Sequence, residues 1–135
     1  MLETDKIIGD ILNKNTPNVL DFVNSLFEVQ LMAKIHHLQA KTKSYAQHMA
    51  LGTLYAELED ITDTFVESYQ GKYNIIKGYT NITISENVDF VTYLTSKLKV
   101  AEKTRTTLQD GYLQQLIDDI IELYAQTLYK LKYLQ

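Results

Sequence analysis

The feature that most constrains the fold is a set of four long stretches in which apolar residues recur at helical spacing. They predict helix A at 17–41, helix B at 45–72, helix C at 86–107 and helix D at 111–134. Long helices of matched length bury their apolar stripes best by packing side by side. The sequence therefore predicts an all-α protein with the architecture of a four-helix bundle.

Capping signals set the predicted helix boundaries. Pro17 suits a first helical position, and Gln47 stands three residues after a serine, which is the spacing of a capping box. Gly111 separates the last two helices. Because the links between A and B and between C and D are short, each pair is expected to pack antiparallel. The predicted N-caps are Thr16, Ser44, Ser85 and Asp110.

The link between helices B and C decides the topology. Its sequence, NIIKGYTNITI, is the least helical part of the chain, and eleven extended residues reach about 36 Å at about 3.3 Å each. That length allows a crossover along the bundle, which leaves C parallel to B as in a ferritin-like bundle. A compact loop with up-down-up-down order also fits. The β-branched alternation in TNITI favours the short extended crossover.

Composition limits the function classes. The 135 residues predict one domain, 1–135, with an N-terminal lead-in helix at 1–14 that carries Ile7, Ile8, Ile11 and Leu12. There are no cysteines, which excludes disulfides and thiol nucleophiles, and the net charge of −4 argues against nucleic-acid binding. No signal peptide or membrane span is predicted. We expect a cytoplasmic protein, or one carried in a virus particle.

Two histidines and two acids form the candidate metal-binding set. His36 near the end of helix A and His48 at the start of helix B are expected to approach each other across the hairpin. Asp63 and Glu67 are spaced i,i+4 on helix B and share one face. Imidazole and carboxylate ligands suit iron, manganese or zinc. About 22 Å of helix separates His48 from Asp63, so one site with all of them requires two subunits meeting along helix B.

Two further residues are candidates beside this set. His37 is an additional ligand candidate. The alternative is that His37 is a half-buried polar residue that binds no metal. Glu59 lies i,i+4 from Asp63 and would join a second metal ion, with a solvated acidic face as the alternative.

The pattern His36, His48, Asp63 and Glu67 resembles the ferroxidase signature of the Dps proteins, or mini-ferritins. The resemblance covers about residues 20–134 and implies a ferritin-like bundle. It also implies a di-iron site shared between subunits, with catalytic His36 and His48 from one chain and Asp63 and Glu67 from its two-fold mate. The implied activity is oxidation of Fe(II) by peroxide or dioxygen. The implied partner is a second copy bound through helix B, in a dimer or a larger cage.

The sequence departs from the Dps pattern at several points. His37 stands where the family usually has Trp, and Ser68 stands where it usually has Arg. The segment from Glu67 to Asp110 is shorter than in the family and leaves no room for the extra crossover helix. A lysine-rich DNA-binding tail is missing, so DNA protection is not implied.

The motifs SYAQH and YQGKY are similar to those of a group of small helical proteins encoded by large tailed phages. This resemblance implies a phage source. It supports the alternative function, a non-enzymatic helical-bundle protein with a structural or accessory role in a phage.

Overall fold

In a computed structural model, residues 18–39 and 44–134 are described, and they form four α-helices. The predicted all-α four-helix bundle is confirmed. The lead-in at 1–14 lies outside the described residues. None of the described helices combines the length and the apolar character that crossing a membrane requires. In chain order the helices are α1 (Val19–Leu38), α2 (Tyr45–Lys72), α3 (Phe90–Thr107) and α4 (Gly111–Tyr133).

Helices α1 and α2 begin at side-chain caps. The Ser44 hydroxyl accepts a hydrogen bond from the Gln47 amide at 3.2 Å, so α2 has the predicted bounds. Helix α1 differs from helix A. It begins after Asn18, whose side chain accepts from the Asp21 amide at 2.7 Å, and it ends at Leu38 instead of residue 41. The predicted start at Thr16 and Pro17 lies outside the described residues.

The predicted start of helix C is wrong by four residues. Helix α3 begins at Phe90 because Asp89 is its N-cap, and the Asp89 carboxylate accepts from the Thr92 amide at 3.2 Å. Ser85 is held in the crossover instead, since its amide contacts the Met32 sulfur at 3.3 Å. Helix α4 begins at Gly111 as predicted and ends at Tyr133.

The crossover connects the two ends of the bundle. The lower end holds the start of α1, the end of α2 and the α3–α4 turn, and the upper end holds the α1–α2 hairpin. A Cβ atom at Gly78 would lie 3.5 Å from Leu20, the Asn24 side-chain amide donates to Thr80 at 3.1 Å, and the Ser85 amide contacts Met32, so the crossover runs upward along α1. Helix α3 is therefore parallel to α2, and the up-down-up-down alternative is wrong. The crossover is longer than predicted because it includes residues 73–89.

The helix neighbours follow from this topology. Helix α1 packs on α2 and α3, and α4 packs on the same two helices. The core is largely apolar, with the Phe22 ring edge-on to Phe65 at 5.4 Å between centroids. Side chains from all four helices are fully buried, and they include Leu26, Leu54, Phe65, Leu94 and Ile117.

Candidate functional site

A pair of stacked histidines closes the α1–α2 hairpin. His37 Nδ1 lies 2.7 Å from the His48 carbonyl oxygen, and His48 Nδ1 lies 3.1 Å from the His37 carbonyl oxygen. The rings stack with centroids 3.8 Å apart and planes 18° from parallel. Because a carbonyl only accepts, both Nδ1 atoms donate, and the neutral form of each ring then leaves Nε2 as an acceptor. The pair joins the end of one helix to the start of the next.

Gly52 makes room for this pair. A Cβ atom at residue 52 would lie 3.0 Å from His37 Cε1 and 3.2 Å from its Nδ1. The His37 ring also meets Tyr55 edge-on at 5.4 Å. The imidazole is therefore packed across one ridge of α2, and a glycine is needed beneath it. Sequence reasoning missed this residue, although a glycine inside a long helix is a signal because it weakens the helix unless packing requires it.

His36 is turned toward the crossover and away from this pair. Its Nε2 lies 3.0 Å from the Ser85 carbonyl oxygen, and its ring lies 5.2 Å from Phe90. The expected approach of His36 to His48 is thus corrected, since His37 is the residue that meets His48. Consecutive residues on a helix point about 100° apart, so only one of the two can face α2. His36 also borders a pocket of about 410 Å³ beside Gln39.

The acidic members of the predicted set lie elsewhere. Asp63, Glu67 and Glu59 are exposed on α2, on the side turned away from the bundle, as their helical positions predict. About 22 Å of helix separates Asp63 from His48 along the axis. Among the described residues no three histidines or acids come together as a metal-binding group. Within one chain the predicted ligands therefore remain in separate places.

The exposed acids belong to a continuous strip, here called the outer face of α2. Its first half is apolar, with Tyr45 73% exposed and Met49 47% exposed. Its second half is acidic. Its residues are exposed because α1 and α4 pack mainly on the other side of α2, while the His37 ring of α1 reaches the edge of the strip over Gly52. The face is formed by Tyr45, Met49, Ala56, Glu59, Asp63 and Glu67.

A charged cluster links α1 to α3 on another side of the bundle. Glu28 accepts hydrogen bonds from the Tyr93 hydroxyl at 2.7 Å and from Lys97 at 2.8 Å. Burial alone would raise the pKa of Glu28, but these donors outweigh it and lower that pKa. Burial and the Glu28 carboxylate raise the pKa of Tyr93. Glu28 is thus a structural anion that joins α1 to α3.

A comparison with protein families assigns the chain. A family model described as "Family of unknown function (DUF5856)" matches residues 37–131. The chain belongs to this family. The DUF5856 match begins at His37 and includes His48, Asp63 and Glu67, while His36 precedes it.

A curated relative of this DUF5856 chain is phage-encoded. It is an uncharacterized 14.6 kDa protein in the mobD-ri intergenic region of Enterobacteria phage T4, 28% identical over 106 residues. The aligned part covers 73% of this chain and 77% of the relative. This finding agrees with the predicted resemblance to helical phage proteins, and the resemblance to Dps stays a prediction. No solved structure matches the chain.

Proposed function

We propose that this chain is a non-enzymatic helical interaction protein that associates with itself through the outer face of α2. The observation that carries the proposal is the separation of the histidines from the acids within one chain. All three rings have a nitrogen bound to a backbone carbonyl oxygen, and these bonds hold the hairpin and the crossover. Among the described residues no three histidines or acids form a metal-binding group. We therefore assign the function to the exposed outer face of α2.

The register of the outer face supports pairing with a second copy. Met49 and Asp63 lie seven residues on either side of Ala56, and Tyr45 and Glu67 lie eleven residues on either side. A two-fold axis at Ala56 keeps the acidic halves of the two copies apart and sets Tyr45 of one copy against Glu67 of the other. The Tyr45 hydroxyl can then donate a hydrogen bond to the carboxylate of Glu67 in the second copy. A small side chain at the axis lets the helices approach closely.

The phage relative supports a structural or accessory role in a phage for this chain. Its name assigns it no activity. A small bundle that presents one face to a copy of itself suits assembly better than chemistry. A pocket at the upper end of the bundle is lined by His36, Glu86 and Asp89. His36 is bonded to the Ser85 carbonyl oxygen and Asp89 caps α3, so these two side chains already have structural roles.

A second candidate function is Fe(II) binding and oxidation at the same two-fold interface. The free Nε2 atom of His48 favours it, because a metal-binding imidazole usually donates its other N–H to a carbonyl. Pairing about Ala56 would bring Asp63 of the second copy beside His48, with Glu67 next to it. Imidazole and carboxylate donors suit iron. His36 could bind the metal only after breaking its hydrogen bond with the Ser85 carbonyl oxygen. The ligands of this second candidate site are therefore His48, Asp63 and Glu67.

One set of measurements separates the two functions. Light scattering should give a dimer or larger assembly for the wild type and a monomer for Ala56→Arg. Ala125→Arg is the matched control, because Ala125 is an exposed alanine on α4. A wild-type monomer would refute self-association.

Iron oxidation is then tested on the same samples. Purified protein is mixed with Fe(II) and peroxide, and ferric absorbance is followed for the wild type and a His48→Ala/Asp63→Ala double variant. Equal, near-background rates for the two proteins support the non-enzymatic proposal. A fast wild-type rate that the double variant loses would favour the ferroxidase.

A further inference from the structure

An apolar groove lies at the lower end of the bundle. Its volume is about 610 Å³, and it is bounded by the start of α1, the end of α2, the first crossover residues and the α3–α4 turn. We call it the lower groove. Its walls include Leu20, Tyr69, Tyr73, Ile75 and Leu108.

The lower groove leaves large apolar surfaces uncovered. Ile75 is 63% exposed and Tyr73 is 45% exposed. Covering these side chains would remove apolar area from water, so this surface favours an apolar occupant. The crossover places these residues here because the Ile76 amide is held by the Gln70 side chain at 3.0 Å. This hydrogen bond therefore fixes the crossover residues that form one wall of the groove.

The chain itself has a segment that matches the groove. Residues 1–17 precede Asn18, which lies on the groove wall. Within them Ile7, Ile8, Ile11 and Leu12 fall on one side of a helix, while Lys6 falls on the opposite side. Ten helical residues measure about 15 Å, and the four residues from Lys14 to Pro17 reach about 13 Å when extended. The segment can therefore reach the groove from its point of attachment.

We propose that residues 4–13 dock as an amphipathic helix in the lower groove of their own chain, with their isoleucines against its apolar wall. A tether this short gives an effective concentration in the millimolar range, which favours the chain's own segment over a separate partner. The charges of the groove and of the segment also favour docking of the chain's own segment. Lys77 borders the groove and has no ion pair within the described residues, while the segment carries Asp5 and Asp10. This docking is independent of the outer face of α2.

Cysteine cross-linking in the full chain tests the docking. The natural sequence has no cysteine, so introduced pairs react alone. The test pair is Ile11→Cys with Ile75→Cys. The control pair is Ile11→Cys with Ile84→Cys, because Ile84 is also an exposed crossover isoleucine but lies next to Ser85 at the upper end. A short bismaleimide should link the test pair within one chain about tenfold faster than the control pair.

Two further variants test whether the cross-link depends on the apolar side of the segment. Adding Ile8→Asp to the test pair should abolish the link, whereas adding Lys6→Asp should leave it intact. Thermal melting followed by circular dichroism checks that the bundle remains folded in each. Equal linking of test and control pairs would overturn the proposal. So would links formed only between chains, which would mean that the groove holds the segment of another copy.

Discussion

Replacing Gly52 with alanine tests how the hairpin is held. The new Cβ atom would lie 3.0 Å from His37 Cε1, closer than ordinary van der Waals contact. The ring cannot move freely, because it is stacked on His48 and bonded to the His48 carbonyl oxygen. We expect the substitution to displace the ring and break both reciprocal hydrogen bonds.

The magnitude follows from two opposing effects. Each lost hydrogen bond costs about 0.5–1.5 kcal/mol, so the pair costs about 1–3 kcal/mol. Alanine in place of glycine inside a helix stabilises by about 0.8–1.0 kcal/mol. The net expectation for Gly52→Ala is a loss of about 1 kcal/mol in the free energy of unfolding. Gly71→Ala is the matched control on the same helix, because nothing lies within 4 Å of its added Cβ atom. It should stabilise the protein.

Urea unfolding followed by circular dichroism measures both variants. A double-variant cycle with His37→Ala isolates the cause, since Gly52→Ala should become stabilising once the ring is absent. The reasoning is refuted if Gly52→Ala stabilises the wild-type protein as much as Gly71→Ala does.

Three other predictions follow from the core and the charged cluster. Phe65→Ala should lose about 3–5 kcal/mol of unfolding free energy, because the ring is fully buried against Phe22, whereas Tyr112→Ala at an exposed position on α4 should change it by under about 0.5 kcal/mol in denaturant titration. Tyr124→Phe should leave stability unchanged or raise it by about 1 kcal/mol, since the buried Tyr124 hydroxyl has no hydrogen-bond partner among the described residues; a larger loss would reveal one. The folded state lowers the pKa of Glu28, so this residue adds stability above the unfolded value of about 4.3 and loses it as pH falls through the folded value. Urea titrations at neutral and acidic pH should therefore show a deficit for Glu28→Gln that shrinks toward acidic pH, and exposed Glu102→Gln should show no such trend.

The sequence predicted the helices where the local signals agreed. Helix α2 has its predicted bounds because Ser44 and Gln47 form the expected cap and the apolar stripe continues to Lys72. The start of α3 was mispredicted because two residues could serve as cap. Ser85 was drawn into contacts with Met32 and His36, which are distant in sequence, and Asp89 became the cap. Such contacts carry no local signal.

The candidate site was predictable only in part. The exposed positions of Asp63 and Glu67 follow from helical phase, and the structure agrees. The choice between His36 and His37 as the neighbour of His48 did not follow, because it depends on how α1 is rotated against α2. That rotation is fixed by packing, including the space above Gly52. The spacing along the chain had instead favoured His36 as the neighbour of His48.

A cysteine at residue 56 tests the central claim of self-association most directly. The chain has no natural cysteine, and a two-fold axis at Ala56 would bring this position against its own copy. Under mild oxidation Ala56→Cys should form a disulfide-linked dimer on a non-reducing gel, while Ala125→Cys should stay monomeric. Equal amounts of dimer for the two variants, or none for Ala56→Cys, would contradict pairing through the outer face of α2.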